Sequence, residues 1–99
     1  MSKTNHEIND IDRHIMIDKL IDELTVLRAA MAISQEELSD LLGISRQTYS
    51  AIETKKRAMT WNMFLSLLFI FEQNEKANKV LVGAGILTDQ LRESIGKTD

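Results

Sequence analysis

The sequence predicts an all-α chain: a compact bundle of about five helices, with a helical extension at the N-terminus and a short helical tail. Three observations carry that prediction. None of the 99 residues is proline, so no residue forbids a helix interior. Apolar residues recur every third or fourth position from Ile17 to Met31, the repeat of a helix buried along one side. Cap residues stand at 34, 45 and 60, each just ahead of a helix-forming run. The length allows one domain with a modest core. The apolar content of 43% is ordinary for a globular domain.

The elements follow in order. Residues 1–8 read as an arm, and Asn9 or Asp10 can cap the first helix. Ile17, Leu20, Ile21, Leu24, Leu27 and Met31 form its stripe, which ends near Ala30–Met31. Ile8, Ile11 and Ile15 either extend that stripe or form a separate short helix. Gln35–Leu42 is the second helix. Ser34 caps it, and Glu37, three residues on, completes a capping box. Gly43 takes the left-handed conformation that ends it. Ser45 then caps a third helix, roughly Arg46–Thr54. Leu38, Leu41, Leu42, Ile44, Tyr49 and Ile52 form one apolar set across both helices, and Ser39 is small where they cross.

Ala58–Trp61 is a connector, with Thr60 capping a fourth helix over Met63–Gln73 that is apolar almost all round. Such a helix must be covered on every side. One side closes the core and the other meets a second copy of the chain, with Phe64, Leu68, Phe71 and, further on, Val80 as interface residues. Glu72–Lys79 is polar and helix-friendly. Gly83 and Gly85 interrupt an apolar run and suit a turn between packed helices. A phosphate loop there would need a third glycine and a lysine. Thr88 caps a last helix, Asp89–Ile95. The expected division is therefore an arm or extension over 1–14, a core domain over 15–73 and a tail over 74–99. The tail serves as a dimerisation element, a partner-binding element or extra core.

The run from Ser34 to Glu53 thus holds two capped helices joined by a glycine turn, with Arg46, Gln47, Ser50 and Ala51 left outward on the second. Together with Arg28 ahead of it and Lys55-Lys56-Arg57 behind it, this run resembles the helix-turn-helix of the phage-repressor and Cro-type (Xre-like) regulators. The likeness extends from about Leu20 to about Phe71. It implies a lambda-repressor-like DNA-binding domain whose third helix enters the major groove. The arginine fork of Arg46 suits guanine O6 and N7, and the amide of Gln47 suits adenine N6 and N7. Ser50 and Ala51 lie one turn later, where the Ala51 methyl can touch a thymine methyl. Gln35, at a helix N-terminus, takes a backbone phosphate. Ser45 and Thr48 are further phosphate contacts, as are Lys55, Lys56 and Arg57. Tyr49 is core, its hydroxyl able to reach a phosphate at the rim. The resemblance also pairs Arg28 with Glu53, joining the first and third helices. The sequence departs from the family pattern at Ala32, where glycine or asparagine often ends the first helix, at Lys55, where glycine is usual, and at Met59, where proline is common. Either Lys55 is left-handed at a cost of about 1–2 kcal/mol, or the loop runs differently.

The net charge is −3, but its distribution suits a polyanion. Residues 44–57 carry Arg46, Lys55, Lys56 and Arg57 against Glu53 alone, while residues 1–25 are as acidic as that segment is basic. There is no cysteine, hence no disulfide or thiolate metal site. His6 and His14 lack companions for a metal site, and the methionines read as packing. No signal core opens the chain, and Met63–Phe71 is too short to span a bilayer. The expectation is a cytoplasmic, non-enzymatic transcriptional regulator without cofactor. It would be a repressor that binds double-stranded DNA as a homodimer on an inverted repeat. An antitoxin that also holds a toxin protein is the alternative, and a helical scaffold that has abandoned DNA is a third.

Overall fold

The computed structural model describes residues 9–86, and among them the regular structure consists of five α-helices. α1 (Asp10–Met31) opens on Asn9. The Asn9 side chain accepts from the Asp12 N–H at 2.8 Å, and the Asp12 carboxylate accepts from the Asn9 N–H at 3.4 Å. This reciprocal box starts the helix upstream of the apolar stripe, so α1 runs unbroken through residue 14. Ile17, Leu20, Ile21, Leu24 and Leu27 are buried along it. Ile11 and Ile15 lengthen the helix but not the stripe: they remain 70% and 50% exposed.

α2 (Gln35–Leu42) and α3 (Arg46–Glu53) follow, each opened by serine. Ser34 Oγ accepts from the Glu37 N–H at 3.0 Å, and the Glu37 carboxylate accepts from the Ser34 N–H at 2.9 Å. Those bonds to Ser34 hold the Glu37 carboxyl below the usual range. Ser39 is buried at the crossing, its hydroxyl returned to the Glu36 carbonyl at 2.8 Å. Leu38, Tyr49 and Ile52 enter the core. Leu41 does not: it stays 62% exposed at the end of α2.

α4 (Trp61–Glu72) begins at Thr60, whose hydroxyl accepts from the Met63 N–H at 3.1 Å. Trp61 stacks on Phe64 with ring centroids 4.7 Å apart, and the Arg13 guanidinium of α1 lies 5.4 Å from the Trp61 ring. Phe64, Leu68 and Phe71, assigned from sequence to an interface between copies, are at most 2% exposed. They face α1 and α5 and form the domain's own core, so no partner can reach them. An all-apolar helix gives no periodic cue to its inward side. Its outer side instead carries the exposed Phe69, with Leu65 and Ile70 half-buried beside it.

α5 (Glu75–Gly83) is capped by Asn74, which accepts from the Ala77 N–H at 2.9 Å. It continues through the apolar residues after Lys79. Ala77, Leu81 and Ile86 are fully buried against α1 and α4, so residues 74–86 complete the core rather than append to it. Val80 is partly buried on the same core. Gly85, at φ 74°, turns the chain back so that the Ile86 N–H bonds the Leu81 carbonyl at 3.0 Å. The helix expected over Asp89–Ile95 and the arm over residues 1–8 lie outside the described residues. Among the described residues no helix is long and apolar enough to cross a membrane.

Among the described residues, two that are not glycine sit in the left-handed region: Ala32 at φ 56°, ending α1, and Lys55 at φ 66°, after α3. Around Ala32 the closing bonds run from its N–H to the Ala29 carbonyl and from the Ile33 N–H to the Arg28 carbonyl. A β-carbon there costs about 1–2 kcal/mol, whereas glycine adds roughly 0.4–1 kcal/mol of unfolded-state entropy. Ala32→Gly is therefore expected to stabilise the domain by about 0.5–1 kcal/mol in urea unfolding, the difference of those two terms. Unchanged or lower stability would show that the turn carries no strain.

Candidate nucleic-acid interface

One carboxylate fixes how α3 is presented. Glu53, at the end of α3, receives the Arg28 guanidinium in a fork, Nε to Oε2 at 3.0 Å and Nη2 to Oε1 at 3.1 Å. The Tyr49 hydroxyl donates to Oε2 at 2.8 Å, and the Gln35 amide donates to Oε1 at 2.7 Å. Arg28 also donates to the Ile33 carbonyl at 3.4 Å. Groups from α1, α2 and α3 thus converge on two oxygens that are largely shielded from water, the Arg28 and Glu53 side chains being 18% and 10% exposed. Burial alone would raise the Glu53 carboxyl, but the bonds from Arg28, Tyr49 and Gln35 outweigh it and hold it below the usual range. The bond to Glu53 raises Arg28, and burial followed by Glu53 raises the Tyr49 phenol.

With α3 locked, its outer face forms a shallow concavity lined by Arg46, Gln47, Ser50, Ala51, Thr54 and Lys56. That lining contains two cations and no acid. The Ser45 hydroxyl accepts from the Thr48 N–H at 3.0 Å and donates to Thr48 Oγ1 at 2.9 Å. The cap sets where α3 starts, and Arg46 and Gln47 occupy its exposed first turn. Among the described residues the side chains of Arg46, Gln47, Ser50 and Lys56 make no hydrogen bond or ion pair, so their donors remain available. Thr54 belongs to this surface and was not singled out from sequence, although it lies one turn beyond Ser50. Its hydroxyl is returned to the Ser50 carbonyl at 3.0 Å.

Several residues assigned to phosphates are placed differently. The Lys55 ammonium pairs with Asp22 of α1 at 2.9 Å, which raises its pKa, and Lys55 and Arg57 line a separate concavity with His14 and Asp18. Tyr49 is 1% exposed and its hydroxyl is spent on Glu53, so it reaches no rim. Ser45 gives its proton to Thr48, which leaves the Thr48 hydroxyl as the outward donor. One N–H of Gln35 is engaged with Glu53, leaving its second. Met59, where proline is common in the family, is 5% exposed and plugs the core beneath the loop.

Two short capped helices, a glycine turn at φ 76°, and a second helix presenting unpaired polar side chains beside a cation define a helix-turn-helix. Residues 26–60 match the family model described as Helix-turn-helix, and over that segment the chain carries the helix-turn-helix of the phage-repressor (Xre-like) family of DNA-binding transcriptional regulators. No curated protein and no solved structure matches the chain significantly.

Removing one partner of a shielded ion pair strands the other. Glu53→Ala is expected to cost about 3 kcal/mol in denaturant unfolding. The pH dependence follows the signs. A lowered Glu53 contributes stability that is fully present above its unfolded value of 4.5 and is lost as pH falls through the folded value. The raised Tyr49 contributes stability that is present below 10.0 and is lost as pH climbs beyond it. Urea titrations should therefore show acid and alkaline losses, with Glu53→Gln flattening the acid limb. An unchanged acid limb would remove Glu53 from that account.

Proposed function

We propose that this protein is a sequence-specific transcriptional regulator, a repressor in the cytoplasm, that binds an inverted-repeat operator as a homodimer with α3 in the major groove. The observation that carries the reading is the acid-free outer face of α3, where Arg46, Gln47, Ser50 and Ala51 stand unengaged next to Lys56. Arg46 pairs with a guanine edge and Gln47 with an adenine edge. Ser50 and Ala51 complete the readout, each good bidentate pair discriminating by about 1–3 kcal/mol. Lys56, Thr48 and the second N–H of Gln35 take phosphates. Arg28 and Glu53 act indirectly, by fixing the tilt of α3.

A single α3 makes too few base contacts for useful specificity, so a second copy is needed. The surface available for it is the apolar groove between α2 and α4, lined by Leu41, Leu42, Leu65, Ser66, Phe69 and Ile70. Phe69 is 65% exposed there. None of the six is charged, as a patch facing its own copy across a two-fold axis requires, because a charge near the axis would meet itself. This groove replaces the Phe64, Leu68 and Phe71 surface. A second reading, an antitoxin that also regulates its own operator, draws support from the exposed Ile11 and Ile15 on α1, a place for a protein partner. A small toxin-like reading frame beside the gene would favour it.

Selection from a random duplex pool tests the main reading, and the enriched sites should be two-fold symmetric with half-sites about one helical turn apart. Arg46→Ala should relax preference at one base position, whereas Lys56→Ala should weaken all sequences alike. Equal loss on every sequence from both changes would overturn the base-contact assignment. Phe69→Lys should yield a folded monomer by sedimentation that no longer selects symmetric sites. A dimer unaffected by it would place the interface elsewhere.

A further inference from the structure

The three consecutive cations after α3 do not act together. The loop is pinned by the Ala51 carbonyl, which accepts from the Lys56 N–H at 2.8 Å and the Arg57 N–H at 3.1 Å, and by the left-handed Lys55. This geometry sends Lys56 to the outer face of α3 and turns Lys55 aside from it, toward α1. Lys55 Nζ there lies 2.9 Å from Asp22 Oδ1. Asp18, one turn earlier on α1, adds its field to the same ammonium. Both partners of the pair are exposed, with side chains 54% and 61% accessible, so the pair lies at the surface and adds little to folding stability. Lys55 is thus a cation beside a phosphate-binding surface that already has an anion of its own.

We propose that Asp22 is an intramolecular counter-ion that withholds Lys55 from the DNA backbone and so sets how strongly the domain grips duplex of any sequence. The idea rests on the DNA-binding reading above and deepens it: α1, through a residue outside the helix-turn-helix match, controls the affinity that carries no sequence information. A backbone phosphate gains nothing from a lysine neutralised by Asp22 unless that pair breaks. Freed, Lys55 becomes one more charge releasing counterions.

The test is a double-mutant cycle read as the slope of log K against log salt on a non-specific duplex. Each phosphate contact contributes about 0.9 to that slope. In the wild-type background Lys55→Gln should leave the slope unchanged. Asp22→Asn should steepen it by about 0.9 and raise affinity several-fold at low salt. Lys55→Gln in the Asp22→Asn background should then abolish that gain. Glu23→Gln, which removes the same charge from α1 away from the pair, controls for net charge and should shift affinity without coupling to Lys55. Equal flattening by Lys55→Gln in both backgrounds would mean that Lys55 binds phosphate regardless of Asp22. No flattening in either would mean that it never reaches one. Each result overturns the proposal. The same cycle run on heparin, read as the eluting salt concentration, separates the two ideas. Coupling on heparin with no duplex binding by the wild type would refute the DNA reading and leave the counter-ion role standing.

Discussion

The Glu53 carboxylate is the point through which three helices agree on their mutual position. α2 and α3 have eight residues each, too short to hold their shape in isolation. Their caps give each a start, but caps do not fix the angle between them. That angle is set by Leu38, Tyr49 and Ile52 beneath and by the Arg28–Glu53–Gln35 bonds above. Dispersion and hydrophobic burial are non-directional and tolerate small rotations. The planar Arg28 fork does not, because both of its bonds to the carboxylate fail if α3 turns about its axis. Directional bonds at the rim thereby give orientation to a core that supplies most of the stability.

The domain is also broader than its recognition motif. Leu20 and Leu24 of α1 lie upstream of the matched segment, and Ala77, Leu81 and Ile86 downstream. All are buried, so the helix-turn-helix is one side of a single core that α1 and α5 complete. Phe64, Leu67 and Phe71 stand between these two helices and the motif. Burial at positions so far apart in the chain makes the core one cooperative unit with the surface it carries.

How much of this was legible in the sequence depended on the range of the forces involved. The caps at Ser34, Ser45 and Thr60 were legible because a cap needs only a side chain and an N–H within three residues. The stripe from Ile17 to Leu27 was legible because its period matches the helix. The inward side of α4 was not: Phe64 and Phe69 are chemically the same, and only packing by α1 and α5 separates them. Nor was the direction of Lys55, which hangs on one backbone angle and on an aspartate 33 positions earlier. The outward set Arg46, Gln47, Ser50 and Ala51 needed no tertiary information, because a cap and a period of 3.6 place it.

The unengaged state of those four residues bears on how such a domain can diversify. Arg46, Gln47, Ser50 and Ala51 contribute nothing to the core and hold no other helix in place. Arg46 and Gln47 are exposed and Ser50 and Ala51 half-buried outside the core, and exchanging exposed groups such as the first two changes folding free energy by only about half a kcal/mol. On the proposed reading of α3, lineages carrying this scaffold would drift from one cognate site to another by point changes, with no compensating repair in the interior.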